Sequence, residues 1–277
     1  MNLFFNRTKS VLIFLLLFAQ LNAQDFSALK FRFLGPDGNR TVAVAGEAGN
    51  PMVSYVGAAS GGIFKTEDGG INWKPIFDEM DNSAIGALAV SMSDPKQVWA
   101  GTGETFIIRP AHPNGNGIYK SMDGGKTWKN MGLKETVRIS RVLVHPTNPN
   151  IVYVAALGHT GGPQQERGVF KTIDGGVTWK RILFVDENTG CNDLVLNISN
   201  PDEIYAAMWQ VEMKTWSLKS GGPGSGFYKT TDGGKTWKKM ENGLPGGANH
   251  IIGKTSIDIA QSNPSTVYAL VEDKSPA

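Results

Sequence analysis

The sequence predicts an all-β protein assembled from repeated four-stranded antiparallel units. One eight-residue segment of the form Ser/Thr-x-Asp-x-Gly-x-x-Trp occurs four times, and its aspartates lie 55, 51 and 58 residues apart. An Asn-Pro or Asp-Pro dipeptide alternates with this segment and occurs five times. No long apolar pattern of helical period occurs after residue 23. Such spacing is typical of repeat architectures, in which each unit packs on its neighbours.

The eight-residue segment has the chemistry of a tight hairpin turn. Its hydroxyl residue and its aspartate can both hydrogen-bond the backbone of the turn, and the paired glycines supply positive φ angles. The tryptophan then begins the return strand and covers the hairpin with its large apolar area. We therefore predict structural roles for the aspartate and tryptophan of each copy. These pairs are Asp68 and Trp73, Asp123 and Trp128, Asp174 and Trp179, and Asp232 and Trp237.

The Asn-Pro and Asp-Pro dipeptides predict a second turn in each unit. An aromatic residue follows each proline by four positions, and apolar runs flank the dipeptides. The two turns together define four strands: strand A before the proline turn, strand B after it, strand C ending in an aromatic-Lys pair, and strand D beginning at the tryptophan. This unit is a β-propeller blade with strand A innermost.

The repeats account for four complete blades and part of a fifth. The complete blades cover about 40–77, 84–132, 138–184 and 190–240, and the fifth supplies only strands A and B at about 253–271. An unfinished ring leaves a blade face and strand edges open. We therefore expect residues 24–277 to be the N-terminal part of a longer propeller, with Phe31–Leu34 as a strand that closes its last blade. The alternative is a complete small propeller or an obligate assembly.

Residues 1–23 predict a secretory signal peptide. Arg7 and Lys9 precede an apolar run over 11–19, and Leu21-Asn22-Ala23 offers a small-residue cleavage site. The run is short for a membrane span, which disfavours an uncleaved anchor. We expect the mature chain to be exported to the periplasm, the outer surface or the medium, with no stable membrane insertion after cleavage.

Composition argues against several classes of function. The formal net charge is +2, and the signal peptide contributes two basic charges and no acidic ones, so the mature chain has a net charge of 0. We see no basic patch for nucleic acid and no polybasic stretch for a membrane surface. The four histidines lack metal-ligand spacing, and we predict neither a metal site nor a cofactor. Cys191 is the single cysteine, so we expect a buried thiol rather than a disulfide or a reactive group.

The four turn segments resemble the Asp-box, or BNR repeat, of β-propellers such as sialidases, xyloglucanases and sortilins. Segments 55–66 and 185–190 extend the likeness to large secreted bacterial sortilin-like or BNR-repeat glycosyl hydrolase proteins, over nearly all of residues 30–271. Such xyloglucanases use a carboxylate pair between two propellers, and neither carboxylate matches a motif in this chain. Sialidases gather three arginines and a tyrosine nucleophile, and the blades carry no equivalent arginine set. The resemblance implies the fold and leaves the activity open.

The long B–C loops predict the functional face. In a four-stranded meander the A–B and C–D turns lie on one face and the B–C loops on the other, so the Asp-boxes lie away from these loops. Blades two to four add 11, 8 and 14 residues here relative to blade one. The candidate ligand-binding residues are Arg109, His112, His159, Arg167, Trp209 and Trp216. The candidate acid/base carboxylates are Glu104, Glu166, Asp186 and Glu187.

Two functions from different classes fit this pattern. The first is an exported scaffold that recognises a protein, peptide or glycan through the B–C loops, with Trp209 and Trp216 stacking on the ligand; the alternative for both rings is packing within the loops. The second is a glycoside hydrolase of which this chain is an N-terminal fragment. The run 220–226 is rich in glycine and predicts a flexible loop. The strand A alignment also predicts a charge-assisted contact between Arg141 and Asp193 near the central channel.

Overall fold

The strands of the protein follow the two turn motifs of its sequence. The computed structural model describes residues 35–36, 40–108, 112–245 and 250–274. The predicted signal peptide and the predicted closing strand at Phe31–Leu34 lie outside the described residues. Within the described ranges there are nineteen strands and one short 3-10 helix at Lys134–Thr136, and none of the helical structure there is long and apolar enough to cross a membrane.

The described residues form four complete blades and two strands of a fifth, which confirms the predicted all-β propeller fold of four-stranded antiparallel blades. In each blade the strands A to D pair in sequence order and antiparallel. Blade one contains β1 (Thr41–Glu47), β2 (Asn50–Ala58), β3 (Ile63–Thr66) and β4 (Lys74–Pro75). Blade two contains β5 (Ile85–Val90), β6 (Val98–Thr102), β7 (Ile118–Ser121) and β8 (Lys129–Asn130). Blade three contains β9 (Ile139–Val144), β10 (Val152–Ala156), β11 (Gly168–Thr172) and β12 (Lys180–Leu183). Blade four contains β13 (Thr189–Asn197), β14 (Asn200–Lys214), β15 (Ser217–Ser220), β16 (Gly226–Thr230) and β17 (Lys238–Met240), and blade five contains β18 (Ile251–Ile259) and β19 (Val267–Lys274).

The insertion of blade four is more ordered than the sequence predicts. Strand β14 continues to Lys214 beyond its pairing with β16, turns at 215–216 and returns as β15, so the insertion is a β-hairpin. Ser220 and Ser225, at the two ends of the run expected to be flexible, are buried. Ser225 Oγ accepts a hydrogen bond from the backbone N–H of Gln210, at 3.0 Å. These contacts between side chain and backbone, which composition does not reveal, fix the glycine-rich run.

The Asp-box turns repeat one set of hydrogen bonds. In blade three, Thr172 Oγ1 donates to Asp174 Oδ1 at 2.6 Å and accepts from the Gly176 N–H at 2.9 Å. The Thr178 N–H and hydroxyl then donate to the same carboxylate. Gly175 and Gly176 have φ angles of 71° and 95°, which favour glycine. Equivalent bonds surround Asp68, Asp123 and Asp232.

These bonds stabilise the ionised carboxylates and lower their pKa values. Donation from the Asn72 backbone N–H, followed by donation from its side chain, holds the pKa of Asp68 at about 2. The Thr127 hydroxyl, followed by its backbone N–H, does the same for Asp123, also to about 2. The pKa values of Asp174 and Asp232 are lowered as well.

We expect the boxes to make the protein less stable in acid. Because the folded-state pKa lies below the value of about 3.9 for an unfolded aspartate, the stabilisation is present above about pH 4 and is lost as the pH falls towards 2. Unfolding near pH 3 should therefore take up roughly one proton per box, measured from the pH dependence of the urea midpoint. Asp123→Asn should remove about one of these protons. Thr127→Val, which keeps the carboxylate but removes a donor, should shift the acid transition to higher pH, and an unchanged pH profile in both variants would contradict this role.

Adjacent blades are joined by contacts of other residues that recur at the same positions of each repeat. The Trp128 indole donates to the carbonyl of Ile76, just after strand D of the preceding blade, at 2.8 Å, and the indole of Trp179 donates to the equivalent carbonyl of Met131. In the opposite direction, Lys171 Nζ lies 5.0 Å from the centre of the Tyr153 ring. The same ammonium donates to the carbonyl of the Gly233 in the next box, at 2.8 Å. The lysine before each box and the aromatic of strand B thus belong to the blade interfaces.

The hydrophobic core is divided among these interfaces. Trp99 is fully buried between blades two and three, with Ile118, Ile139, Val142 and Val154 in the same cluster. Similar clusters lie between blades one and two, three and four, and four and five. The four Asp-box tryptophans are each half-buried. Cys191 is buried in the interface of blades three and four, as predicted for an unreactive thiol, and burial raises its pKa.

Candidate functional site

A cavity of about 920 Å³ lies along the innermost strands of all five blades. Each of these strands contains a β-bulge at an equivalent position of its pairing with strand B. A bulge re-aims side chains from the regular alternation of the strand. The unpaired positions are Val42, Gly86, Ser140, Asn192 and the pair Gly253-Lys254, and each contributes a residue to the cavity lining.

Blades three to five give this cavity a polar wall. Arg141 donates to Asp193 Oδ1 through Nη2 at 2.6 Å and through Nε at 2.8 Å, which confirms the contact predicted from the strand alignment. Asp193 also accepts the Ser256 hydroxyl. Asn192 Nδ2 donates to the Thr255 carbonyl at 2.6 Å, so the blades are linked at the level of the bulges.

Blades one and two give the opposite side of the cavity an apolar wall. It consists of small and branched aliphatic side chains, namely Val42, Ala43, Val44, Ala87 and Leu88. Val44 is 71% exposed. The lining therefore combines polar groups with apolar surface, and Arg40, Thr41 and Thr105 of the first two blades also belong to it.

Phe106 lies where the cavity meets the loop face. Its ring is 48% exposed, and Arg40 and Lys254 lie over it with their charged centres 5.9 and 5.6 Å from the ring centroid. Lys254 Nζ also lies 5.4 Å from the Trp209 ring. Burial lowers the pKa of Lys254, and the nearby Asp193 and Glu272 partly offset that effect.

The B–C loops of blades two to four pack into one platform beside this ring. Its buried cluster joins Ile107 of blade two to Leu157 of blade three and to Trp209, Val211 and Met213 of blade four. The Met213 N–H donates to the Thr160 carbonyl of blade three at 2.7 Å. Large apolar side chains remain exposed on the loops that form it: Phe106, Ile108, Trp216 and Leu218.

The two candidate tryptophans occupy different environments. Trp209 is 1% exposed, and its indole N–H donates to Ser220 Oγ at 3.0 Å. It packs within the loops, the alternative that the sequence left open, and offers no free face for stacking. Trp216 is 83% exposed at the tip of the β14–β15 hairpin.

The candidate cations and histidines mostly hold loops together. Arg167 is fully buried, and its guanidinium donates to the carbonyls of Asn188 and Gly162 at 3.0 and 2.9 Å; burial lowers its pKa to about 10. His112 is buried and accepts from the Ile108 N–H at 3.0 Å. Nδ1 of His159 accepts from a backbone N–H within its own loop, and burial lowers the pKa of this histidine. Arg109 lies outside the described residues.

The candidate carboxylates do not share one environment. Glu104 is fully buried and forms an ion pair with Arg40. On the side of blades three and four, Glu166 and Glu187 are exposed and Asp186 is half-buried. Glu187 accepts a hydrogen bond from the Gln165 side chain. Among the described residues, no group of three or more His, Cys, Asp or Glu side chains is arranged to hold a metal ion.

Sequence reasoning missed Arg138, which organises the blade-two loop. This buried arginine donates through Nε to the Glu104 carbonyl at 3.0 Å and through Nη2 to the His112 carbonyl at 3.2 Å. It also donates to Asn114 Oδ1 at 2.9 Å. The available signal in the sequence was that Arg138 lies directly before strand A of blade three. That the loop of blade two passes over Arg138 is visible only in the folded chain. Lys254 was missed for the same reason.

The fold and the site together define an Asp-box β-propeller with a loop-bearing face above an inter-blade cavity. Residues 116–274 match the family model Sortilin-Vps10, described as sortilin, neurotensin receptor 3. This match covers more than half of the chain, and the protein belongs to the Sortilin-Vps10 family.

Similar proteins include xyloglucanases and YCF48. The chain is 27% identical over 211 residues to the xyloglucanase Xgh74A of Acetivibrio thermocellus, covering 67% of this chain and 24% of that protein. Its fold is similar to that of an ancestral GH74 enzyme, with a TM-score of 0.60 at 21% identity over 82% of this chain and 28% of the other. It is also similar in fold to YCF48 bound to D1 peptide, with a TM-score of 0.50 at 12% identity over 90% and 72% of the two chains. The chain spans about a quarter of the length of the xyloglucanases that it matches.

Proposed function

We propose that this protein is an exported β-propeller scaffold that binds a protein, peptide or glycan through its B–C loop face. The observation that carries the proposal is the packed loop platform with exposed Phe106, Ile108, Trp216 and Leu218. Exposed apolar clusters on a rigid scaffold are typical of interaction sites, and tryptophan is frequent among the residues that dominate binding energy. The solved structure of YCF48 with D1 peptide and the xyloglucanase relatives provide precedents for peptide and glycan ligands on similar chains.

The buried candidate residues support binding at this face by holding the loops in place rather than by contacting the ligand. Arg138 and Arg167 tie the loops of blades two and three to carbonyl groups, so the platform is held in shape before a ligand arrives. Such preorganisation lowers the entropic cost of binding. We therefore assign direct contact to Phe106 and Trp216, and loop positioning to Arg167 and His112.

The proposal is tested by measuring binding to glycan and peptide arrays, followed by titration of the ligand found. Trp216→Ala and Phe106→Ala should each weaken binding by about tenfold or more, as expected for exposed aromatic anchors. Met122→Ala is the matched control, because Met122 is also a large exposed side chain but lies in an Asp-box turn. Equal loss in the control, or no loss in either loop variant, would contradict the assignment of the face.

A glycoside hydrolase is the second candidate, favoured by the likeness to Xgh74A. It would need a pair of carboxylates about 5–9.5 Å apart across a groove. Glu104 is committed to Arg40 inside the protein, so its carboxylate is not presented to solvent. We expect no new reducing ends when the protein is incubated with a polysaccharide panel. Hydrolysis that is abolished in Glu104→Gln would favour the hydrolase over the binding scaffold.

A further inference from the structure

We propose that the cavity of the innermost strands binds an acidic sugar, a hexuronate within an oligosaccharide, through Arg141 and Lys254. The proposal rests on the proposed function, because the cavity opens beside Phe106 on the same loop face. It adds the chemical class of the ligand, and four features of the lining lead to it.

The first feature is the arrangement of Arg141. Two of its nitrogens bind Asp193, which fixes the plane of the guanidinium, while the side chain is 48% exposed to the cavity. Among the described residues, Nη1 donates to no protein group. An arginine that is held by a carboxylate on one edge presents donors at a fixed angle on the other edge, the geometry suited to a ligand carboxylate.

The second feature is the surroundings of Lys254. Its ammonium lies over the aromatic rings of Phe106 and Trp209, and in the described part of the chain no carboxylate lies within 4 Å of it. Glu272, which also lines the cavity, accepts instead from the Ser220 hydroxyl and from the backbone N–H of Lys254. A half-buried ammonium with aromatic neighbours gains from an anionic ligand, since burial has removed part of its hydration.

The third feature is that the acidic groups nearby are already occupied. The carboxylate of Asp193 is buried and accepts from Arg141, from the Ser256 hydroxyl, and from the backbone N–H groups of Leu194 and Ile257. Because Arg141 and these hydrogen-bond donors offset its negative charge, Asp193 repels a bound anion less than an unpaired carboxylate would.

The fourth feature favours a sugar ring over a peptide. The apolar part of the lining consists of small and branched aliphatic side chains, against which the apolar face of a pyranose ring can pack. A volume of about 920 Å³ is within the range of about 300–1,000 Å³ that is common for small-ligand sites.

The test is calorimetric titration of the purified protein at low salt with tetragalacturonate and with its fully methyl-esterified form. The two ligands have the same rings and differ in charge. We expect tetragalacturonate to bind and the ester to bind at least about tenfold more weakly, because charge-assisted hydrogen bonds are among the stronger polar contacts. Arg141→Gln and Lys254→Met should each weaken binding of the acid by a similar factor and reduce the difference in affinity between the acid and the ester.

The controls separate this inference from the proposed function. Lys126→Met, which removes an exposed cation in an Asp-box turn, should bind tetragalacturonate as the parent protein does, and circular dichroism should show all variants folded. Equal affinity for the acid and the ester, or no effect of either cavity variant, overturns the inference. Tighter binding of hexaglutamate than of tetragalacturonate, lost in the same variants, overturns the sugar in favour of an acidic peptide. If tetragalacturonate does not bind while another ligand binds through Phe106 and Trp216, this inference is overturned and the proposed function is retained.

Discussion

Replacement of Trp99 by alanine is expected to lower the free energy of unfolding by about 4 kcal/mol, the middle of the range for a fully buried large aromatic side chain. Trp99 is completely buried between blades two and three and meets the Trp179 ring edge-on with centroids 6.2 Å apart. Lys120 Nζ lies 4.9 Å from its ring. Truncation therefore leaves a cavity, removes an aromatic pair and takes away the surface that supports the lysine. For a domain of this size the midpoint of thermal unfolding should fall by roughly 10 °C.

The repeat supplies the matched control for this variant. Blades one, three and four carry tyrosine at the position of Trp99, and the hydroxyls of Tyr55 and Tyr153 donate to a glycine carbonyl in the box of the next blade, at 3.2 and 3.5 Å. Trp99→Tyr should therefore cost less than the alanine variant, about 2 kcal/mol, because one aromatic ring is retained while part of the volume and the indole hydrogen bond to Gln97 are lost. Urea unfolding followed by circular dichroism measures both. A loss below about 1 kcal/mol for Trp99→Ala, or equal losses for the two variants, would show that the interface is not the stabilising unit.

Gly168→Ala should cost about 3 kcal/mol or more, or prevent folding, because backbone clash adds to an unfavourable φ angle. Gly168 begins strand C of blade three with a φ of 110°. A β-carbon at this position would lie 2.0 Å from the carbonyl oxygen of Leu183 in strand D. Neither group is the end of a flexible side chain, so the strands themselves would have to separate.

Gly243→Ala separates the conformational cost from the clash. Gly243 has a φ of 74°, and apart from its chain neighbours no atom of the described residues lies within 4 Å of the place where its β-carbon would be. We expect this variant to lose only about 1 kcal/mol, from the left-handed conformation alone. Soluble yield and urea midpoint are the measurements for both variants. Similar losses at the two positions would mean that strands C and D do not approach as closely as the structure shows.

The sequence predicted the blades because their signals are local. A hydroxyl residue, an aspartate and two glycines within five positions specify a turn through hydrogen bonds that the segment makes with itself, as around Asp174. Equal offsets in successive repeats then place residues at equal heights, which is why the Arg141–Asp193 contact was predictable. Blade five follows the same local rule. Tyr268, at the position where Tyr55 and Tyr205 are buried against the following blade, is 63% exposed, and among the described residues no further blade packs on it.

The candidate site was only partly predictable, because its residues meet through loops of different blades. Trp209 and Trp216 stand seven residues apart in one insertion, yet one ring is buried under Ile107 and Val211 and the other is exposed at a hairpin tip. No local pattern distinguishes them, since the burial of Trp209 depends on the blade-two loop. Lys254 was not predictable either, because it belongs to the site only through its position beside Phe106, a residue of another blade.

By itself, the sequence determined the all-β repeat, the four boxes and the face on which the long loops emerge, since each depends on turn chemistry and strand alternation within about fifty residues. Tertiary structure alone decided which loop residues are buried and which are exposed. That decision depends on packing between segments far apart in the chain, where the burial of one side chain is set by the conformation of another loop.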